Sequence, residues 1–370
     1  MTDTHDLLAT LADIDSDSAL AQARATRQAA GEAIQSSYHA LFHAAADDEF
    51  PRAERLLLAQ RVSEWHGVHA LAAHYGDALR QTAQRPQENA ERLRAALDHA
   101  ERLAFTPAQA EPQHLQGLQQ AGWSLAAIVT LSQLIAFVSF QSRLLYGYRL
   151  LAGKAVNAVG GAPVRAAAWR TERRTHGGRQ APLAFTRQEL EWEPWIAAKP
   201  LAEFDAAGLA LLARFGHTDS DYFRLLARNH PLLEQRTLAD RAIFYTSGGL
   251  ARAERELAAT VASKVNGCIY CASVHARKAA QLSKQGDAVQ QLLEVPPGGA
   301  LSEGQQDAWR AQIDFAAALS ATPPRANPDQ LALLRSQGLT PLELLDLVQS
   351  TAFFAWANRL MLTLGEPFEP

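Results

Sequence analysis

The chain has 370 residues, enough for two hydrophobic cores, so two domains are expected. Hydrophobic residues make up 48% and charged residues 20% of the chain, a balance that is typical of folded globular proteins and argues against disorder. The formal net charge of −4 argues against a nucleic-acid partner, and the one cationic cluster, at residues 165–179, lies in a Gly-containing stretch typical of a linker.

The first twenty residues, MTDTHDLLATLADIDSDSAL, do not have the pattern of a secretory signal peptide. They carry acidic residues where such a peptide has basic ones, and they contain no sufficiently long apolar run. A cytoplasmic protein is therefore predicted. Because the cytosol keeps thiols reduced, we expect the two cysteines of the chain to serve catalysis or metal binding.

Alanine- and leucine-rich segments with helical spacing dominate the chain, and they predict an all-α fold. Two regions match at a constant offset of 216: LDHAERLAFTPAQAEPQHLQGLQQAGWS and IDFAAALSATPPRANPDQLALLRSQGLT. Identical residues recur at this offset, among them Thr106 and Thr322, Pro112 and Pro328, Gly122 and Gly338, Gln133 and Gln349, and Arg143 and Arg359. The sequence thus predicts two tandem helical domains related by internal duplication.

One segment, WSLAAIVTLSQLIAFVSF at residues 123–140, is long and apolar enough to suggest a transmembrane helix. Its counterpart in the second half carries Glu343 and Asp346, and each carboxylate would be costly in a bilayer. Both segments are therefore predicted to be helices buried in protein, without a membrane partner.

The stretch between the repeats, GKAVNAVGGAPVRAAAWRTERRTHGGRQAP, is rich in Gly and Arg, as linkers are. We predict a first domain at residues 1–150, a linker at 151–185 and a second domain at 186–370. RAER recurs at 52–55 and 252–255 with an offset of 200, so about sixteen extra residues fall in the second copy, near the loop-forming VPPGGALSEG. Two such copies are expected to pack as a pseudo-symmetric pair.

Both cysteines lie in one short stretch of the second domain, GCIYCASVH, residues 267–275. The preceding RAERELAATVASKV predicts a helix, which Asn266 and Gly267 end, so that a new helix begins at Cys268. Cys268, Cys271 and His275 are then three and four positions apart and share one helix face.

These residue types point to an activated thiol. A cysteine in the first turn of a helix is stabilised as the thiolate, and His275 one turn later can take or return a proton. Glu256 on the preceding helix can orient the imidazole. Such proton delivery suits a poor leaving group, for example the alkoxide released from a peroxide. The alternatives are a zinc site, for which the stretch offers only three ligands, and two inert core cysteines; Glu254 is the alternative to Glu256.

The pattern of Glu256, Cys268, Cys271 and His275 resembles the signature of alkylhydroperoxidase D in the carboxymuconolactone decarboxylase superfamily. DRAIFYTSGGLARAERELAATVASKVNGCIYCASVHARKAA, residues 240–280, is similar to its helical, peroxidase-related members. The resemblance implies an alkylhydroperoxidase D-like all-α fold, a homo-oligomer, and reduction of organic hydroperoxides through a cysteine pair. It also implies that a dithiol, such as dihydrolipoamide or a thioredoxin-like protein, reduces the oxidised pair again. Tyr270 stands where alkylhydroperoxidase D has histidine, which leaves the substrate and the reductant open.

The offset of 200 places Val68, Leu71 and Tyr75 at the positions of the cysteines and the histidine. The first domain has therefore lost this chemistry, and we predict that its role is structural: it completes the fold of the second domain.

The residues and the resemblance together predict an antioxidant thiol peroxidase, without a metal and with no cofactor except a redox-active Cys268–Cys271 disulfide. We expect Cys271 to meet the hydroperoxide because it lies one turn from His275. Cys268, at the expected solvent-facing start of the helix, is the resolving and dithiol-facing cysteine. A disulfide reductase using the same pair and a redox-sensing subunit without activity are the alternatives.

Overall fold

The computed structural model describes residues 6–43, 49–83, 86, 90–156 and 163–370. Helices make up most of the first half, as its alanine- and leucine-rich segments predict. They are α1 (Leu7–Ala12), α2 (Ala19–Thr26), α3 (Gln28–Phe42), α4 (Arg52–Trp65), α5 (His69–Arg80), α6 (Glu91–Phe105), α7 (Pro112–Gln120) and α8 (Leu125–Leu151).

The second half is also helical, and it adds a two-stranded antiparallel sheet that joins its start to the C-terminal segment. The prediction of an all-α fold is therefore confirmed. The elements are β1 (Glu191–Pro194), α9 (Ala206–Phe215), α10 (Asp221–Leu226), α11 (His230–Phe244), α12 (Arg252–Asn266), α13 (Ile269–Ser283), α14 (Gly286–Glu294), α15 (Asp307–Ser320), α16 (Pro328–Ser336), α17 (Pro341–Thr363) and β2 (Gly365–Phe368).

The helix boundaries repeat at the offsets found in the sequence. Helices α7 and α16 correspond at both ends with the offset of 216, and their N-caps, Glu111 and Asn327, both close capping boxes. The starts of α6 and α15 share this offset, whereas the starts of α4 and α12 correspond with the offset of 200. Between α13 and α15 the second half contains α14 and the loop with VPPGGALSEG, the region to which the sequence assigns the extra residues.

The two halves pack through equivalent helices. Helix α8 packs against α17, and α3 packs against α11. Phe137 lies edge-on to Trp356 with 5.1 Å between ring centroids, and Phe140 lies edge-on to Phe353 at 5.8 Å. Because Phe137 corresponds to Phe353 and Phe140 to Trp356 at the offset of 216, these contacts are reciprocal. The two halves therefore share one apolar interior.

Helix α8 is the one helix in the described part of the chain that is long and apolar enough to cross a membrane. Every side chain from Ala127 to Tyr148 is buried by the surrounding helices, as in the central helix of a protein core. In α17, Asp346 is also buried, and it forms ion pairs with Arg27 at 2.7 Å and Arg255 at 3.0 Å. Asp346 is thus a buried and paired carboxylate, which agrees with the prediction that this helix is buried in protein.

The predicted linker contacts the second half. Residues 157–162 of the linker lie outside the described residues, and the following segment runs past α12, where the Ala167 N–H donates to the Lys264 carbonyl at 3.1 Å. The Lys264 ammonium is buried, donates to the carbonyls of Leu293 and Val295, and lies 4.3 Å from the ring centroid of Phe185. The segment around residues 163–185 therefore covers one side of the hairpin that carries the cysteines.

Candidate active site

The sequence of the α12–α13 hairpin explains its sharp turn. Gly267 ends α12 in the left-handed conformation, with φ of +77°, where a side chain would be strained. A Cβ at this position would also lie 2.8 Å from the Ala108 Cβ and 2.9 Å from the Ala168 carbonyl oxygen. Cys268 is then the N-cap of α13, and its N–H donates to the Ser263 carbonyl at 2.8 Å. The helix break expected at Gly267 is present.

The structure brings Glu256 and His275 together. Glu256 on α12 is fully buried, and its Oε2 is hydrogen-bonded to Nδ1 of His275 on α13. Its second oxygen accepts from Arg252 Nε at 2.5 Å, one turn earlier on α12. Glu254, the sequence alternative, faces elsewhere and accepts from the Gln312 amide at 2.9 Å. Of the two carboxylates, only Glu256 contacts the imidazole.

The Glu256 carboxyl stays ionised despite its burial. Burial raises its pKa, but the hydrogen bond and charge of His275, together with the charge of Arg252, outweigh this effect and leave the pKa below its ordinary value. A carboxylate at Nδ1 assigns the proton of the neutral imidazole to that nitrogen, which leaves Nε2 free for proton transfer on the opposite side of the ring. Phe354 packs edge-on to the imidazole at 4.4 Å between centroids and holds its plane.

The two cysteines differ in their access to solvent. Both thiols are free; Cys268 is 1% exposed, and Cys271 is 6% exposed and lines a large cavity. The expectation that Cys268 is the solvent-facing thiol is therefore wrong. Helix α17 covers the turn before α13, since the Asn266 amide donates to Asn358 on that helix at 3.0 Å. His275, with 17% of its side chain exposed, lines the same cavity as Cys271.

Asn358 on α17 sits beside Cys268, a contact that the sequence analysis missed. Its amide donates to Ser263 Oγ at 3.0 Å and accepts from the Asn266 amide at 3.0 Å. Burial, and then the neighbouring Cys271 thiol, raise the pKa of Cys268 well above its ordinary value, and the Cys271 peptide N–H and the Asn358 amide oppose them only in part. The thiolate stabilisation expected at the helix start is therefore outweighed at Cys268 by burial.

The cavity next to Cys271 has a volume of about 1620 Å³ and is bounded by α11, α13, α17 and β1. Phe353 and Phe354, adjacent on α17, both form part of its wall. Its polar wall includes groups that no short motif indicated, because they come from separate elements: Tyr222, Arg236, Asp240, Arg252 and Lys278. Cys271 and His275 thus face a space large enough for an organic molecule.

The corresponding site in the first half is filled by packed side chains. Val68 is the N-cap of α5, as Cys268 is of α13, and Leu71 and Tyr75 follow at the positions of Cys271 and His275. Leu71 and Tyr75 are completely buried, and the Tyr75 hydroxyl donates to Gln141 at 2.5 Å. This half keeps the hairpin geometry and holds neither a thiol nor an imidazole at these positions.

A comparison with known protein families agrees with the resemblance that the motif indicates. Residues 231–323 match the model of the carboxymuconolactone decarboxylase family. Among solved structures, the chain is similar to a protein from Ralstonia eutropha JMP134 described as an alkylhydroperoxidase AhpD core and an uncharacterized peroxidase-related protein. The identity is 22%, the match covers 44% of this chain and 86% of that chain, and the TM-score is 0.37. The comparison with curated proteins gave no match.

The matched segment extends from α11 to just beyond α15, and it contains all four residues of the motif. The segment that carries Glu256, Cys268, Cys271 and His275 is therefore the segment that matches the model of the carboxymuconolactone decarboxylase family, in agreement with the resemblance inferred from the motif.

Proposed function

We propose that the chain is a thiol-dependent peroxidase that reduces organic hydroperoxides. The observation that carries the proposal is the Glu256–His275 hydrogen bond, one helical turn from Cys271 on the wall of a shared cavity. A carboxylate-oriented imidazole beside a thiol serves proton transfer, which a structural pair of cysteines does not need. The family match over residues 231–323 supports the same chemistry.

In the first step, Nε2 of His275 takes the proton of the Cys271 thiol, and the resulting thiolate attacks the terminal oxygen of the hydroperoxide. The O–O bond breaks and Cys271 becomes a sulfenic acid. The departing alkoxide takes a proton from Nε2 of His275 and leaves as the alcohol. Glu256 stabilises the protonated imidazole through Nδ1, so that Nε2 can donate its proton to the oxygen of the departing alkoxide.

In the second step, Cys268 resolves the sulfenic acid. Its sulfur attacks the Cys271 sulfur, the disulfide forms, and the hydroxyl group leaves as water. An external dithiol then reduces the disulfide by two electrons and is itself oxidised to a disulfide. The spacing of Cys268 as N-cap and Cys271 in the first turn of α13 supports such a bridge.

Burial favours a small dithiol as the reductant. Cys268 is 1% exposed and Cys271 6%, so a folded thioredoxin-like protein would need an opening of the structure to reach either sulfur. A thin, linear dithiol such as dihydrolipoamide enters through the cavity. The same burial argues against protein disulfides as substrates.

A turnover assay tests this proposal. Purified protein with dihydrolipoamide should consume cumene hydroperoxide in a catalytic manner, and hydrogen peroxide serves as the comparison substrate. In single turnover, Cys268→Ser should consume one equivalent and stop at a sulfenic acid that dimedone traps. Cys271→Ser should consume almost none. If the wild-type chain consumes neither peroxide, the proposed function is wrong; if Cys268→Ser is the unreactive variant, the two thiols have the opposite roles.

A further inference from the structure

The cavity beside the cysteines contains a buried cation that lacks a partner. Arg236, on α11, is 6% exposed and lines the cavity. Its Nε atom is buried without an acceptor, and no described residue forms a hydrogen bond or ion pair with its guanidinium group. A buried charge is costly unless it is paired, and native proteins rarely leave one unsatisfied without a functional reason.

Aromatic rings surround this guanidinium but do not satisfy its donors. Its central carbon lies 5.4 Å from the ring centroid of Phe353, 5.8 Å from that of Tyr222 and 5.9 Å from that of Trp356. Rings stabilise the positive charge, whereas the N–H groups need acceptor atoms in the guanidinium plane. The Tyr222 hydroxyl is a second group without a partner among the described residues; it is buried on the same cavity wall, and the residue is 9% exposed.

The neighbouring titratable groups do not neutralise Arg236. Asp240, one turn later on α11, forms no ion pair with it; burial raises the pKa of this carboxyl group, and the charges of Arg236 and His275 oppose this only in part. His217 is neutral at pH 7, because burial and the charges of Arg236 and Arg241 lower its pKa to about 4. The positive charge of Arg236 is therefore available to a ligand.

We propose that Arg236 and Tyr222 bind the carboxylate of the substrate, which is an amphipathic hydroperoxy acid. A guanidinium group pairs with both oxygens of a carboxylate, and the phenol hydroxyl can donate to one of them. The apolar wall formed by Phe244, Phe354 and Met361 suits a hydrocarbon chain more than a free inorganic anion. This inference rests on the proposed function and specifies its substrate class.

The anion site lies close to the reacting sulfur. Tyr222 and Arg236 line the same cavity as Cys271, so a ligand bound at the two groups lies in the space that the reacting sulfur faces. A molecule held by its carboxylate at Arg236 therefore extends along the same wall as Cys271. Binding at a group remote from the reacting oxygen holds the substrate in position for attack.

The test compares linoleic acid hydroperoxide with its methyl ester, which has the same chain and no charge. For the wild-type protein we expect kcat/KM to favour the acid by about 10- to 150-fold, the range for a hydrogen-bonded charge pair. Arg236→Gln should reduce this ratio to about 1, mainly through a higher KM for the acid. Arg236→Lys, which keeps the charge, should restore part of the ratio. Arg214→Gln is the control, because Arg214 pairs with Glu234 at the surface and does not line the cavity, and it should keep the ratio.

A binding measurement separates this inference from the proposed function. Isothermal titration calorimetry with laurate should show binding to the wild-type chain and a loss of about 10- to 150-fold in affinity for Arg236→Gln, whether or not peroxide is reduced. Inorganic phosphate should bind far more weakly than laurate.

The inference is overturned if acid and ester are reduced equally well, if laurate binds Arg236→Gln as tightly as the wild type, or if phosphate competes equally with laurate. If no peroxide is reduced but laurate binding depends on Arg236, the anion site stands and the peroxidase proposal fails.

Discussion

Arg143 and Arg359, which occupy equivalent positions in the two repeats, each donate to a backbone carbonyl of the other half of the chain. Arg143 Nη2 donates to the Ser320 carbonyl at 2.8 Å, and Arg359 Nη2 donates to the Ala104 carbonyl at 3.0 Å. Ser320 and Ala104 are themselves equivalent, at the same offset of 216. The contact is therefore reciprocal, as it would be between two subunits related by a twofold axis.

This relationship predicts that Arg359 stabilises the contact between the halves. We expect Arg359→Met to lower the free energy of unfolding by about 1–3 kcal/mol, because the charged hydrogen bond between the halves is lost and the Ala104 carbonyl keeps only the Thr322 hydroxyl as a donor. Urea titration measures the change. Arg214→Met is the control: Arg214 pairs with Glu234 at the surface and should change stability by less than about 1 kcal/mol. Equal, small changes in both variants would contradict a stabilising role for Arg359.

The shared interior predicts that the second half does not fold normally alone. In a fragment of residues 186–370, the faces of α11 and α17 that pack on α3 and α8 would be exposed, including the ring of Phe353. We expect this fragment to be insoluble or to unfold without cooperativity, and co-expression with residues 1–185 to restore activity. A soluble, cooperatively unfolding and fully active fragment would show that the first half is not required to complete the fold.

Local features of the fold were predictable because their signals are local. The helical spacing, the duplicated Pro and Gly positions and the break at Gly267 depend on backbone preferences of short segments. The pairing of Glu256 with His275 was also within reach, since the two residues lie on consecutive helices joined by one tight turn. This contact needs only the geometry of the hairpin.

Features that depend on distant packing were not predictable. The sequence suggested an exposed Cys268, but α17, which follows much later in the chain, covers it and supplies Asn358. Arg236 and Tyr222 carry no motif, and they meet Cys271 at the cavity only because α10, α11 and α13 converge there. Burial of this kind reverses the simple expectation that a helix-start cysteine has a low pKa.

Substitutions of His275 and Glu256, the proposed proton-transfer pair, should lower the activity to different degrees. His275→Ala should slow the reaction of Cys271 with cumene hydroperoxide by about 10²- to 10⁴-fold, because the alkoxide loses its proton donor. Glu256→Gln should have a smaller effect, about 10- to 10²-fold, because it removes only the orienting carboxylate. Glu254→Gln is a closely matched control, two positions away and bonded to Gln312, and should react at the wild-type rate. Stopped-flow fluorescence gives these rates; an unchanged rate in His275→Ala would rule out the proposed donor.

The raised pKa of Cys268 predicts a pH-dependent resolving step. At neutral pH this residue is a thiol, and the thiolate is the attacking species, so the rate of disulfide formation should rise roughly tenfold per pH unit below its pKa. Asn358→Leu removes a group that lowers this pKa, so the same phase should be slower at any given pH. Cys268→Ser should lack the phase altogether. A rate independent of pH between about 6 and about 9 would be inconsistent with a protonated Cys268.

The central claim is that hydroperoxide converts Cys268 and Cys271 into a disulfide, and peptide mass spectrometry tests it most directly. The protein is treated with one equivalent of cumene hydroperoxide, alkylated and digested with trypsin, which releases both cysteines in the peptide 265–277. We expect this peptide to lose two hydrogen atoms, to take up no alkylating reagent, and to regain two free thiols after reduction with dihydrolipoamide. Recovery of the peptide with both thiols alkylated after hydroperoxide treatment would contradict it.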